Sequence, residues 1–294
     1  EVLERTGVFV EDDEPLDIYA DGGCRVDRER RVVQIPACIV EDAIRSAPPI
    51  NHQCGRDPRH DFVLEASRVA FCNFDEGIKI LDPFSGEHRD PTIEDVRRIA
   101  RLVDALDGMA AYESAVGAHD VPGETAPIHQ AEAGLLNTGK SVGTEAVSAF
   151  HVRRIAEMAE LIVGGADELR ERPIVGFGVC PVSPLQLPRD ATEVIIETAR
   201  RGLPDTVLSM AMAAASAPVT LAGTLVIHNA EVLAGITLAQ LTERGVPVTY
   251  GSSTTAIDLR LAAASVGSPE LALISAACVQ LSRRYLLPSF VAGT

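Results

Sequence analysis

Acidic, thioether, thiol and aromatic side chains follow directly after successive apolar runs of this sequence. The candidate ligand-binding residues taken from those positions are Glu145, Tyr250, Ser252, Met210, Met212, His119, Cys180 and Phe290. Aromatic and thioether groups are polarisable, and a carboxylate beside them would complete a pocket for an alkylammonium ion. Glu145 is the strongest candidate, because packing rarely requires a carboxylate at the end of a strand. Met210 and Met212, each taken singly, fit core packing at least as well.

Further polar residues lie near the ends of the same runs. They are Glu113, Asp120, Thr144, Ser183, Ser209 and Ser253. His119 and Asp120 follow a strand-like run, where barrel enzymes keep catalytic groups, but capping of a loop explains them equally well. His228 lies in an apolar stretch and is interpreted as a core histidine with satisfied hydrogen bonds.

Residues 134–141 match the phosphate-loop pattern G-x-x-x-x-G-K-S. That loop binds phosphate only when a strand precedes it and a helix follows it, because the amides at the helix start hold the phosphate. Here residues 128–136 have a helical pattern and residues 141–147 a strand pattern. The order is reversed, so we do not expect nucleotide binding.

The composition restricts the classes of function. The net charge is −16, so the chain lacks the basic surface that a nucleic-acid-binding protein needs. The six cysteines are scattered without C-x-x-C spacing and no histidines are spaced as metal ligands, which predicts reduced thiols and no bound metal. No signal peptide opens the chain, and we expect a cytoplasmic protein. Residues 225–241 are apolar but include His228, Asn229 and Glu231, so we predict a buried helix and no membrane span.

The hydrophobic pattern divides the chain near residue 90. Residues 1–90 contain short apolar runs between Asp, Gly and Pro clusters, which predicts a small N-terminal α+β segment. From residue 92 onward, six strand patterns alternate with helix patterns, which requires parallel crossovers and hence an α/β barrel or a doubly wound sheet. The unit length of about 30 to 40 residues favours the barrel. We therefore predict an α/β fold in which residues 91–294 form part of a (β/α)8 TIM barrel, with about six β/α units. Because the chain starts at Glu1 and stops at Thr294 after a strand, we expect a longer protein with two further units.

Long segments of the sequence resemble the trimethylamine methyltransferase family. The resemblance rests on residues 217–241, on Val246-Pro-Val-Thr-Tyr-Gly-Ser252, and on the shorter motifs Asn137-Thr-x-Lys140, Gly267-Ser-Pro-Glu270, Leu287-Pro-Ser289, Gly55-Arg-Asp-Pro58 and Leu81-Asp-Pro-x-x-Gly86. Together with Leu3-x-x-Thr-Gly-Val-x-Val10, these motifs extend over essentially the whole chain.

The resemblance implies a methyltransferase that moves a methyl group from a small methylated amine to the Co(I) of a corrinoid protein. The amine would be trimethylamine or a quaternary amine such as glycine betaine. No cofactor would be bound directly, since the corrinoid (cobalamin) is carried by the partner protein. Archaeal trimethylamine enzymes contain pyrrolysine in a segment beyond residue 294, and a larger group, which includes glycine betaine enzymes, lacks it. We expect this chain to belong to the second group; a homo-oligomer is left open.

Two alternatives come from other classes. One is a family member that binds an amine or a corrinoid protein without catalysis. The other is an unrelated TIM-barrel lyase or aldolase, which would need a Schiff-base lysine at a strand end. The interior candidates for that role, Lys79 and Lys140, do not fit such a position.

Overall fold

A computed structural model describes residues 1–65 and 68–293 of the chain. The fold divides into two compact units, one formed by Glu1–Asn51 with Val179–Thr294 and the other by His52–Gly178. We call them the split unit and the central unit. The boundary that the sequence suggests near residue 90 is not tested by this division and stays a prediction.

The helices alternate with strands along most of the chain. They are α1 Val2–Arg5, α2 Asp13–Asp21, α3 Ala37–Ser46, α4 Ile93–Ala105, α5 Ala126–Asn137, α6 Ala149–Val163, α7 Ala166–Glu171, α8 Arg189–Arg201, α9 Leu221–Thr242 and α10 Pro269–Tyr285, with 3₁₀ turns at Pro58–His60 and Gly123–Thr125.

The strands are mostly short. They are β1 Val8–Val10, β2 Arg25–Asp27, β3 Val32–Gln34, β4 Asn51–Gln53, β5 Phe62–Leu64, β6 Ile80–Leu81, β7 His88–Arg89, β8 Ala111–Glu113, β9 Ser141–Glu145, β10 Val175–Val179, β11 Gln186–Leu187, β12 Asp205–Ser209, β13 Met212–Ala213, β14 Val248–Ser252, β15 Thr255–Asp258, β16 Ala263–Ala264 and β17 Ser289–Val291.

Strands of the central unit run parallel to one another, as the alternating pattern predicts. β8 pairs with β9 and β9 pairs with β10, with Glu113 opposite Gly143 and Glu145 opposite Gly178. Residues 71–77, here called the 71–77 segment, run parallel to β8 on its other side through bridges from Cys72 to Ala111 and from Gly77 to Val116. The carboxyl ends of three neighbouring segments therefore lie side by side.

Strands of the split unit show the same parallel arrangement. β12 pairs with β14, and β14 pairs with β17. A second sheet in this unit has the order β11-β1-β3-β2. The six strands predicted after residue 92 are all present, and a mixed α/β fold with parallel strands is confirmed in each unit.

Local sequence signals explain most helix ends. The sequence Thr92-x-x-Asp95 predicts a capping box, and the two residues form it at the start of α4; Ser268 caps α10 with Pro269 in its first turn. Two expected boundaries are wrong. Asp190-x-x-Glu193 predicts a cap at Asp190, but Pro188 occupies the N-cap of α8. Residues 286–291 predict the last strand, which instead starts at Ser289 because Leu286, with φ of 59°, ends α10 in the left-handed conformation.

Helix α9 is the core helix of the split unit. By length and composition alone it could cross a membrane, yet 61% of its most apolar window is buried inside the protein. His228 and Glu231 are fully buried on it, and hydrogen bonds to strand-end residues satisfy both side chains. A helix that is apolar on all sides and buried by its neighbours needs no lipid.

Candidate functional site

Four carboxyl groups gather at the strand ends of the central unit. Asp75 and Glu76 lie near the end of the 71–77 segment, and Glu113 and Glu145 are the last residues of β8 and β9. The carboxyl ends of parallel strands are where α/β enzymes place binding groups. We call these four residues the carboxyl cluster.

Glu113 is held by its neighbours on both sides. Its backbone N–H donates to Asn73 Oδ1 at 3.0 Å, and Asn73 Nδ2 donates back to the Glu113 carbonyl at 2.8 Å. Its side chain lies across Gly143 so closely that a Cβ at position 143 would come within 1.6 Å of Glu113 Oε2. Glycine at position 143 therefore makes room for the Glu113 carboxyl.

Glu145 and Asp75 share a hydrogen bond between their carboxyl groups. Two carboxyl groups can form such a bond only when one of them carries a proton. Burial and the nearby charge of Asp75 raise the pKa of Glu145, which makes Glu145 the protonated donor and Asp75 the acceptor. The pair therefore carries one negative charge.

Burial also raises the pKa of the other two carboxyl groups. It raises the pKa of Glu113 to about 8, with a smaller contribution from Asp75, and it raises the pKa of Glu76. No arginine or lysine of the described chain contributes to these shifts. A cation would stabilise the ionised forms and displace protons, so the cluster is suited to bind a positively charged ligand.

The carboxyl cluster lacks the side-chain arrangement of a metal site in the described part of the chain. Among residues 1–65 and 68–293, no group of three or more His, Cys, Asp or Glu side chains is arranged to hold a metal ion. An organic cation, which needs surrounding negative potential and no inner-sphere oxygen ligands, fits this arrangement better.

The eight residues predicted from the sequence are divided between the two units. Glu145 and His119 belong to the central unit, and the other six belong to the split unit. Glu145 lies in the carboxyl cluster. His119 is half exposed in the loop after β8, with Nδ1 3.9 Å from Asp90, and the neighbouring Asp120 accepts from the Ile93 amide at the start of α4. Asp120 therefore serves as a cap.

Tyr250 and Ser252 face the helix layer of the split unit. The Tyr250 hydroxyl donates to Asn229 of α9 at 2.8 Å, and the Ser252 hydroxyl lies 3.4 Å from Cys278 of α10. Both side chains are fully buried. Residues of one strand alternate between faces, so the intervening Thr249 and Gly251 point to the opposite side of β14.

Two of the remaining predicted residues follow strand ends and two lie within strands. Met210 is 53% exposed directly after β12, and Cys180 is exposed directly after β10. Met212 is half-buried on β13, and Phe290 is half-buried in the middle of β17. The role of all four in binding stays a prediction.

The donors of the phosphate-loop pattern, residues 134–141, are bonded to other groups of the protein. Lys140 is buried, and its ammonium donates to the carbonyls of Val103 and Leu106 at the end of α4. The Gly139 amide, which would face a phosphate, donates to Asp104 at 2.7 Å. The loop joins α5 to β9, the order that the sequence predicts, and it stabilises the C-terminus of α4.

Asp75 and Glu76 were missed by sequence reasoning. The 71–77 segment pairs with β8 only through isolated bridges, and its sequence Phe-Cys-Asn-Phe-Asp-Glu-Gly lacks a strong strand pattern. Two adjacent carboxylates directly after a short run that contains Phe71, Cys72 and Phe74 are the signal that could have indicated a further strand end. Glu76 also has φ of 49°, an uncommon conformation for a residue with a side chain.

Comparison with known proteins places the chain in a family. A family model described as trimethylamine methyltransferase (MTTB) matches residues 1–294. The chain belongs to the trimethylamine methyltransferase family. Within this family it is 48% identical over 293 residues to the trimethylamine methyltransferase MttB of Desulfitobacterium hafniense, covering 100% of this chain and 59% of that protein.

Two other relatives match this chain at lower identity. The trimethylamine methyltransferase MttB of Methanosarcina thermophila is 43% identical, with 62% of its length covered. A glycine betaine methyltransferase of Desulfitobacterium hafniense is 29% identical over 293 residues, with 60% of its length covered. The chain thus spans about six-tenths of the length of the relatives it matches.

A solved structure shares the fold. The crystal structure of the Methanosarcina barkeri monomethylamine methyltransferase (MtmB) superimposes with a TM-score of 0.61 at 15% sequence identity, covering 96% of this chain and 62% of that one. At this identity the likeness concerns the fold alone, and it supports the mixed α/β assignment.

Proposed function

We propose that this protein transfers a methyl group from a small methylated amine to a corrinoid protein. The observation that carries the proposal is the carboxyl cluster, which lies at the strand ends of a chain belonging to the trimethylamine methyltransferase family. Four carboxyl groups without a basic partner form a site for a cation, and methylated ammonium ions are cations.

The charge of the cluster favours one class of amine. Trimethylammonium carries only a positive charge, whereas glycine betaine also carries a carboxylate, which the cluster would repel. In the hydrogen bond between Glu145 and Asp75, the ionised Asp75 carboxylate keeps a free lone pair, which can accept the N–H of a protonated tertiary amine. We therefore propose trimethylamine as the substrate in preference to a betaine.

The corrinoid, held by its own protein, supplies the Co(I) nucleophile that accepts the methyl group. The residues of this chain orient the amine and hold a proton. Positive charge leaves the nitrogen as the methyl carbon–nitrogen bond breaks, so a strong counter-charge would stabilise the substrate more than the transition state. The pair formed by Asp75 and Glu145 keeps one proton and therefore has only a moderate charge. The proton that the bound trimethylammonium already carries stays on its nitrogen, so the leaving group is neutral dimethylamine.

The remaining features of the proposal extend the sequence analysis. We propose that Met210, Met212, Cys180 and Phe290 contribute to the amine or corrinoid-protein surface, that Tyr250 and Ser252 support that surface within the split unit, and that His119 supports the substrate site of the central unit. We also propose that the parallel strands belong to a (β/α)8 barrel with an N-terminal α+β segment over residues 1–90, that the protein is cytoplasmic, and that its partner is a corrinoid protein.

The proposal is tested by methyl transfer in a defined mixture. The protein is incubated with trimethylamine and its reduced cognate corrinoid protein, and methylcobalamin formation is followed by absorbance. We expect turnover only when both are present. Strong demethylation without any corrinoid protein, or no turnover with it, would contradict the proposal.

Binding without transfer would favour the non-catalytic alternative. Calorimetry with trimethylammonium and with glycine betaine, followed by a search for demethylated product, separates the two. The lyase alternative has less support, because Lys140 caps α4 and Lys79 forms an ion pair with Asp90.

A further inference from the structure

Glu231 on α9 is a fully buried carboxylate whose partners are all neutral donors. The Ser209 hydroxyl donates to its Oε2 at 2.6 Å and the Ser183 hydroxyl at 2.9 Å, while the Leu185 amide donates to Oε1 at 2.9 Å. No lysine or arginine contributes to its electrostatic surroundings in the described chain. A buried charge is expensive unless several hydrogen bonds compensate it, so this arrangement needs a reason.

The three donors come from two separate strand-end loops. Ser183 and Leu185 belong to the loop between β10 and α8, and Ser209 ends β12 immediately before the exposed Met210. One carboxylate therefore joins the loop that follows β10 to the end of β12. Both loops are thus hydrogen-bonded to one residue of the largely buried helix α9.

The backbone carbonyl of Ser209 accepts two further hydrogen bonds. It accepts from the Thr254 hydroxyl at 3.1 Å and from the Ser253 amide at 3.0 Å, so β14 is tied to the same residue. The Thr254 hydroxyl in turn lies 2.9 Å from His228 Nδ1 on α9. Since Thr254 donates to Ser209, it accepts from His228, and the ring proton is assigned to Nδ1 from this network.

We infer that Glu231 is a positioning residue, which fixes the loops that carry Cys180 and Met210 through its hydrogen bonds to Ser183, Leu185 and Ser209. The inference rests on the proposed function, in which those loops face the amine or the corrinoid protein. Glu231 itself is fully buried and therefore has no exposed surface to offer a reactant. Its effect is exerted through Ser209 and Leu185, which set where the following residues lie.

Two substitutions separate hydrogen bonding from charge. In Glu231→Gln the amide oxygen can still accept from Leu185, and its NH₂ group can donate to the two serine hydroxyls, which are free to rotate and accept. In Glu231→Leu all three donors lose their acceptor at nearly constant volume. Thr237→Val is the matched control, because Thr237 is buried on the same helix and its hydroxyl bonds only to Leu233 within the helix.

The variants are compared by trimethylamine-dependent methylation of the corrinoid protein and by amide hydrogen exchange. We expect Glu231→Leu to lower kcat about tenfold with a smaller change in the KM for the amine, and Glu231→Gln to recover most of the loss. Exchange in peptides covering residues 181–187 and 209–213 should accelerate in Glu231→Leu and stay slow in Glu231→Gln and Thr237→Val.

The inference is overturned if Glu231→Gln is as impaired as Glu231→Leu, or if Glu231→Leu leaves kcat and exchange unchanged. Should Glu231→Leu fail to fold, Ser183→Ala and Ser209→Ala each remove one donor, and a kcat and exchange pattern like that of Thr237→Val in both would also overturn it. An absence of methyl transfer by the unaltered protein would count against the proposed function alone, because the exchange measurement decides the positioning role independently.

Discussion

The carboxyl cluster and Glu231 solve the burial of acidic groups in opposite ways. The Glu231 carboxyl accepts hydrogen bonds from three neutral donors, each of which belongs to the backbone or side chains of its own unit, and these bonds offset part of the rise that burial causes in its pKa. The cluster in the central unit instead has carboxyl groups facing one another, and one proton is shared between Glu145 and Asp75. A buried carboxyl group whose oxygens accept several hydrogen bonds is stable without a ligand. A group of carboxyl groups that mainly face one another is stabilised most by a ligand that brings positive charge.

We expect substitution of Glu145 to lower the activity more than any other single change in the carboxyl cluster. Glu145→Gln keeps the shape of the side chain but removes the titratable proton and the ability to become negative. We expect kcat/KM for trimethylamine to fall about 100-fold, equivalent to about 2.7 kcal/mol, as is usual when a desolvated charge partner is lost. Steady-state methylation of the corrinoid protein measures the loss.

Glu132→Gln is the control for this substitution, because Glu132 is exposed on α5. It makes the same substitution in the same unit but outside the carboxyl cluster, and its kcat/KM should match that of the unaltered protein. Equal activity of the two variants would show that the cluster does not bind the substrate.

The next effect comes from displacing Glu113 without changing it. Gly143→Ala places a methyl group where the Glu113 carboxyl now lies, 1.6 Å from Oε2. The end of a glutamate side chain can move aside, so we expect a folded protein in which Glu113 has left the cluster and the KM for trimethylamine rises about tenfold.

Gly178→Ala provides the matched substitution on the neighbouring strand. A Cβ there would lie 4.0 Å from Glu145 Oε1, an ordinary contact, and little change is expected. If both alanine variants raise KM equally, then loss of glycine in the strands, and not the position of Glu113, explains the effect.

The smallest effect is a pH dependence of stability. Glu113 has a pKa of about 8 in the folded protein, above the value of about 4.3 for an unfolded glutamate. The folded state therefore binds the proton more tightly, and the resulting stability is complete below the unfolded pKa and is lost as the pH rises to about 8. Glu113→Gln removes this titration.

Urea unfolding at pH 5 and pH 8.5 measures it. The denaturation midpoint of Glu113→Gln relative to the unaltered protein should be higher at pH 8.5 than at pH 5. An unchanged difference at the two pH values would show that burial does not hold Glu113 in its protonated form.

Part of this site could be predicted from the sequence. Glu145 was located because β9 follows a helix and ends in a carboxylate, which is a local pattern. Asp75 was not, because the 71–77 segment becomes strand-like only through pairing with β8, a contact made by residues about 40 positions away. Tyr250 was expected at a strand end, but β14 continues to Ser252, and the alternation along the strand turns Tyr250 toward Asn229 of α9.

The parallel strands could be predicted for a similar reason. Repeated alternation of apolar runs with amphipathic helices leaves few arrangements other than parallel crossovers, and each predicted strand is present. The hydrogen bonds of Glu231 could not be predicted, because they depend on which side of a wholly apolar helix meets Ser183 and Ser209.

Calorimetry with tetramethylammonium tests the central claim most directly. This ion can neither donate nor accept a proton, so any proton released on binding comes from the protein. Titrations at pH 7.5 in buffers of different ionisation enthalpy should show binding accompanied by proton release, and the release should be smaller in Glu145→Gln. Binding with no dependence of the heat on the buffer, or no binding at all, would contradict the assignment of the carboxyl cluster as a cation site.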